Sequence, residues 1–101
     1  MYKIEVFIPE TKLQSLRNVL LEFDAGHIGN YRGCLSYSLV TGVWFSGKDS
    51  NPYVGTAGTW SQGSELKVEF NVEDSLKDAI IQKIKEIHPY EEPVINAIHL
   101  T

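Results

Sequence analysis

A chain of 101 residues with 9 Lys and Arg against 13 Asp and Glu has a formal charge of −4, which argues against a phosphate-tracking surface, so no nucleic-acid partner is expected. Its length suits one hydrophobic core, so residues 1–101 are read as a single domain that association with further copies would help to stabilise. Cys34 is the single cysteine, which rules out an intrachain disulfide framework; with Lys3 and Glu5 interrupting the first apolar segment and no run of membrane-spanning length, a cytoplasmic protein without a membrane partner is expected.

Tyr2, Ile4, Val6 and Ile8 alternate with Lys3, Glu5 and Phe7, the period of a half-buried strand, which Pro9 stops. From Glu10 to about Asp24 the apolar residues Leu13, Leu16, Val19, Leu20 and Phe23 recur at helical steps, with Thr11 and Gln14 as a capping pair and Gly26 placed to end the helix. Asp24 to Gly33 reads as a tight, glycine-built loop. Cys34 to Phe45 is rich in β formers and is read as an extended segment, bent or bulged around Thr41-Gly42. Ser46 to Gly63 is irregular, with Asn51-Pro52 and repeated glycines marking turns, and its length marks it as functional or packed on a partner. Leu66, Val68, Phe70 and Val72 give a clear strand over Glu65 to Val72. Asp74 to His88 returns to the helical period, with Asn71 or Asp74 as cap, and Val94 to Leu100 is the last strand.

This β-α-β-β-α-β order predicts an α+β, ferredoxin-like sandwich, a four-stranded antiparallel sheet with two helices on one face. The open face is expected to carry Lys3, Glu5, Phe7, Lys67, Glu69 and Asn71, with Ile95 and Ala97, and its apolar part predicts self-association.

Two motifs hold candidate chemistry. His88-Pro89-Tyr90-Glu91-Glu92-Pro93 links the second helix to the last strand, and each proline disfavours helical geometry at the residue before it, so the link is stiff. Together with His27 and Cys34 it supplies residue types that bind a divalent metal. Each motif follows a helix and enters a strand, so both are expected at one end of the sheet, meeting within one subunit or across an interface. The expected metal set is His27, His88, Glu91 and Glu92, with Gly29, Asn30, Tyr31, Cys34, Asn51 and Tyr90 as further ligand-binding candidates. The competing reading has His88 capping helix carbonyls while Glu91 and Glu92 accept backbone hydrogen bonds. His27 alone reads as a turn histidine, and Cys34 as a small buried apolar group or, with His27 as base, a nucleophile. Trp44, Phe45, Tyr53 and Trp60 either pack the long loop or form a stacking platform for a flat ligand.

Gly26-His27-Ile28-Gly29-Asn30-Tyr31, then Cys34, Asn51-Pro52-Tyr53-Val54-Gly55 and His88-Pro89-Tyr90-Glu91-Glu92-Pro93 resemble, in that order, the domain inserted in YqfO-type proteins, whose outer parts form a dinuclear-metal, hydrolase-like body. The insert is itself similar to the PII signalling proteins and CutA, and the resemblance covers nearly the whole chain. It implies a ferredoxin-like fold and a trimer. Leu39 to Gly47 departs from the Gly-Thr-Gly-rich text of the insert, and nothing corresponds to the flanking hydrolase body. The functional expectation is a homo-oligomeric regulatory module that binds a small molecule or a divalent metal ion and is not itself an enzyme. The alternatives are a metal-dependent hydrolase with Glu91 or Glu92 as base for a metal-bound water, and a purely structural oligomerisation domain.

Overall fold

The computed structural model describes every residue of the chain except Pro52 and Val54. Strand β1 is Tyr2–Ile8, helix α1 Leu13–Glu22, β2 Ser36–Phe45, β3 Trp60–Val72, helix α2 Lys77–Ile87 and β4 Ile95–His99, with single 3-10 turns at Glu10–Lys12 and Asp74–Leu76 leading into the helices. The sheet order is β2-β3-β1-β4 and every pairing is antiparallel, the ferredoxin-like arrangement that the strand and helix periods predict.

The core follows from two periods meeting. Ile4, Val6 and Ile8 alternate inward from β1, and Leu66, Val68, Phe70 and Val72 do the same from β3. Leu16, Val19 and Leu20 of α1 and Ile80 and Ile84 of α2 bury the facing helical stripes. Full burial of an aliphatic side chain of this size stabilises by about 1.5–3 kcal/mol, so this layer holds the fold.

The helix ends differ from expectation. Neither Thr11 nor Asp74 makes a side-chain cap; Pro9 and Glu73 precede the 3-10 turns, and Asp74 instead takes the N-terminal ammonium of Met1. Helix α1 stops before Gly26: Asp24 takes the left-handed conformation (φ 54°), its N–H donates to the Leu21 carbonyl (3.4 Å) and the Ala25 N–H donates to the Leu20 carbonyl (2.8 Å). That is a Schellman ending in which a carboxylate residue stands where glycine is usual.

Strands β2 and β3 form a longer hairpin than the sequence suggests. Their register runs unbroken from Ser36↔Glu69 to Phe45↔Trp60, so Thr41-Gly42 carries no bulge and β3 begins at Trp60. The added stretch, Trp60-Ser61-Gln62-Gly63-Ser64, buries neither face and so has no apolar alternation to read. The hairpin therefore projects past the helices, giving the molecule a long axis of 47 Å against 24 and 22 Å.

The open sheet face is also differently composed. Ile95 pairs with Val6 and Ala97 with Ile4, so both lie on the helix side; the open face takes Asn96 instead, whose amide donates to Glu5 (3.4 Å). There Lys3 meets Glu69 at 3.0 Å, and Lys67 bridges Glu69 (3.5 Å) and Glu5 (3.7 Å), a ladder of opposite charges. Ile98, paired with Lys3, adds one exposed aliphatic there, but most of the exposed apolar surface lies elsewhere. Tyr37, Leu39, Val43, Phe45 and Trp60 share the other face of the projecting hairpin, and each keeps more than half of its surface open.

Candidate functional site

The two motifs lie at opposite ends of the sheet. Gly26 N–H donates to the Asn71 carbonyl (2.8 Å), beside Lys3, whereas His88 bonds the Phe7 carbonyl. These rows are four residues apart, roughly 13 Å of strand. The cause is topological: β2 and β4 run in opposite directions, so entering a strand after a helix happens at one end for β2 and at the other for β4. His27 and the set His88, Glu91 and Glu92 do not meet within one chain. Among the described residues no three His, Cys, Asp or Glu side chains are grouped to hold a metal ion.

Both histidines are also committed to their own turns. His27 donates from Nδ1 to Asp24 (3.1 Å) and from Nε2 to the Gly29 carbonyl (2.8 Å). The Asp24 bond above all, then the Gly29 carbonyl, raises the imidazole pKa above its usual 6.5, and the same contact lowers that of Asp24. Arg32 closes the loop by donating to Asp24 (3.2 Å) and to the Leu21 carbonyl (2.8 Å). His27 is thus a turn residue and is not free to serve Cys34 as base. Ile28 and Tyr31 exchange backbone hydrogen bonds across a tight turn whose tip is Gly29-Asn30, and the Tyr31 ring is 74% exposed, too open to wall a site. Cys34 is partly buried and lines a shallow depression with Lys3, Ser36 and Glu69.

At the other end the proline link builds a cavity. His88, 7% exposed, donates from Nε2 to the Phe7 carbonyl (2.6 Å) and accepts at Nδ1 from the Tyr90 N–H (3.2 Å). This network assigns the neutral Nε2–H tautomer. Burial holds the His88 pKa below its usual 6.5. The ring does not cap helix carbonyls; its backbone N–H continues α2 by donating to Ile84 (3.0 Å). Tyr90 stacks at a tilt on His88 (4.7 Å between centroids), and its hydroxyl donates to Glu65 Oε2 (3.1 Å). Burial first, then the Glu65 carboxylate, pushes the phenol pKa up to about 12, so it stays a donor. Glu91 accepts the Asn51 N–H with both carboxylate oxygens (2.9 and 3.1 Å). Three consecutive contacts thus fasten the link to β1, to the hairpin and to the long loop.

The half-open space that the link borders measures about 320 Å³. Trp44, Gly42 and Glu65 contribute from the open face of the hairpin, Phe7 from β1, Tyr90, Glu92 and Val94 from the link, and Tyr53 from the long loop. Gly42 keeps the floor open, since a Cβ there would stand 2.6 Å from Glu65 Oε1. Of the lining residues, Trp44, Phe45 and Tyr53 belong to the aromatic group that the sequence offers as a stacking platform, whereas Phe7 and Glu65 read only as a sheet face; continuing the β3 alternation back past Glu65 is the signal that would have aligned Glu65 with Trp44 and Phe7. Pro52 and Val54 of the loop motif lie outside the described residues.

No family model matches the chain. It is 38% identical over 93 residues to a GTP cyclohydrolase 1 type 2 homolog of Halalkalibacterium halodurans, an alignment that takes in 92% of this chain and 25% of that protein. It superposes on a Bacillus cereus protein related to NIF3 with a TM-score of 0.80 and 30% identity, over 98% of this chain and 25% of the other. The periplasmic divalent cation tolerance protein CutA from Archaeoglobus fulgidus shares the fold alone: TM-score 0.72, 14% identity, 99% of this chain and 84% of that one. The chain spans about a quarter of the length of the curated relatives it matches. The chain is thus the counterpart of one segment of the YqfO-type, NIF3-related proteins and carries the CutA-like fold.

Proposed function

We propose that this chain is a self-associating regulatory module, without catalysis of its own, that binds a small ligand in the cavity between the hairpin and the proline link. The observation that supports this reading is the cavity itself: about 320 Å³, walled in part by aromatic rings and tied to the hairpin and the long loop by the link. Occupied cavities of this size are mostly apolar with a few fixed polar groups. A ligand there would stiffen the long loop and the link together, which is how a binding event would be passed to a partner. The experiment uses Trp60→Phe protein, so that Trp44 is the single indole, titrated with a panel of small aromatic fragments. A saturable change in Trp44 fluorescence is expected, weakened about tenfold by Tyr90→Ala. A flat response across the panel rejects the reading.

Self-association is proposed from the apolar face of the hairpin, where Leu39 is 66% and Trp60 72% exposed. A trimer is the assembly proposed. Leu39→Lys is expected to leave the thermal midpoint within about 2 °C, as for a surface change, and to lower the sedimenting mass. Wild-type protein that sediments as a monomer at micromolar concentration rejects it.

A divalent ion is the second reading, suggested by the name of the CutA protein that shares the fold. With the four expected ligands apart in one chain, such an ion would need donors from two copies. Metal analysis of untagged protein before and after Glu92→Gln decides it.

A further inference from the structure

Resting on the cavity as a ligand site, we propose that its ligand is a small organic cation, an amine or amidinium carried on a flat or short alkyl body. Three carboxylates, Glu65, Glu91 and Glu92, line the cavity, and among the described residues no Lys, Arg or His does. None of the three forms an ion pair among those residues; Lys67, the basic neighbour on the same sheet face, is held by Glu5 and Glu69. An anionic ligand would therefore enter a field of its own sign. A neutral ligand would strip water from carboxylates and return no charge to them.

A bare divalent ion is a poor fit for a different reason. Such an ion draws several oxygens to within about 2.0–2.6 Å of one point. The carboxylates here border one space without grouping around a common centre. Their separation suits a charge delivered on a body that fills the rest of the volume. The remaining walls suit that body: Phe7, Trp44, Tyr53 and Tyr90 present ring surface, and a cation over a ring face is attracted by the ring's negative face, more strongly as water leaves.

The carboxylates divide by role. Glu91 is occupied by the Asn51 N–H and acts as a fastener. Glu65 is oriented by the Tyr90 hydroxyl through Oε2, and its Oε1 overhangs the gap left by Gly42. Glu92, an exposed residue of the link, also lines the cavity and makes no side-chain hydrogen bond among the described residues. Glu65 and Glu92 are the groups that select for charge.

The test sets phenethylamine and benzamidine against phenethyl alcohol and phenylacetate, following the Trp44 indole N–H resonance in the full chain. The cations are expected to saturate the shift, with the alcohol about tenfold weaker and phenylacetate silent. Glu65→Gln, which keeps an acceptor for Tyr90, and Glu92→Gln should each abolish the preference for amine over alcohol. Equal binding of the alcohol or of phenylacetate overturns the cation class and leaves the cavity a ligand site. If no probe moves the resonance, both readings fall. If amine binding vanishes as the chain self-associates, the occupant is a second copy and the small-cation proposal is overturned.

Discussion

His88→Ala is expected to destabilise the protein by roughly 2–4 kcal/mol without changing its metal content. The imidazole is nearly enclosed and both of its nitrogens hold backbone groups: the Phe7 carbonyl, next to the end of β1, and the Tyr90 N–H, which sets the direction of the link. Alanine leaves both groups without their partner and opens a void under the Tyr90 ring, which lies 4.7 Å from the imidazole. The loss should be seen in urea unfolding as a lower midpoint at unchanged slope. A variant as stable as the wild type but stripped of bound metal would instead make His88 a ligand.

The same residue sets a pH dependence whose direction separates it from His27. The folded His88 pKa lies below 6.5, with burial as the main cause and the Phe7 carbonyl opposing it. As pH falls through 6.5 the unfolded chain takes up a proton that the folded chain resists, so the stability present at neutral pH declines on the acid side. His27 runs the other way. Its raised pKa makes its contribution complete below 6.5 and lost as pH rises through the higher folded value, and because the Asp24 pair is half exposed, salt weakens it. The gap between wild type and His88→Ala should therefore narrow between neutral pH and mild acid, where a His27 variant would show its gap widening.

The fold was legible because its strands and helices are buried on one side only, and one-sided burial writes a period into the sequence. Tyr2–Ile8 and the inward residues of β3 from Leu66 to Val72 are examples. The hairpin extension was not, because Trp60 to Ser64 buries neither face and so has no period to read. The pairing of the two motifs rests on something else: each follows a helix and enters a strand, which by itself suggests one common end of the sheet. Strand direction decides against that pairing: β2 and β4 start at opposite ends. Stiffness at Pro89 and Pro93 was readable, but what the link is fastened to was not. The Tyr90–Glu65 and Glu91–Asn51 contacts join residues 25 and 40 positions apart, separations that local pattern does not carry.

Gly26→Ala should cost roughly 2–5 kcal/mol, and it tests whether the two ends of the sheet are independent. Gly26 has φ +65°, a conformation that costs an L-residue about 1–2 kcal/mol. Its added Cβ would stand 2.6 Å from the Cys34 nitrogen and closer still to the Cys34 carbonyl oxygen. Those are backbone atoms fixed by the Cys34 N–H to Gly26 carbonyl bond (3.0 Å), so no side chain can swing aside. Gly29 provides the control. It too is left-handed, at φ +57°, but nothing lies within 4 Å of its would-be Cβ, so Gly29→Ala should cost only the conformational part. The strain in Gly26→Ala falls on the loop anchored to Asn71, at the far end of β3 from Glu65. Below the variant's lowered unfolding transition, Trp44 should therefore report the same fragment affinities as in the wild type. A variant that stays folded yet loses fragment binding would show that the glycine loop and the cavity are coupled through the sheet.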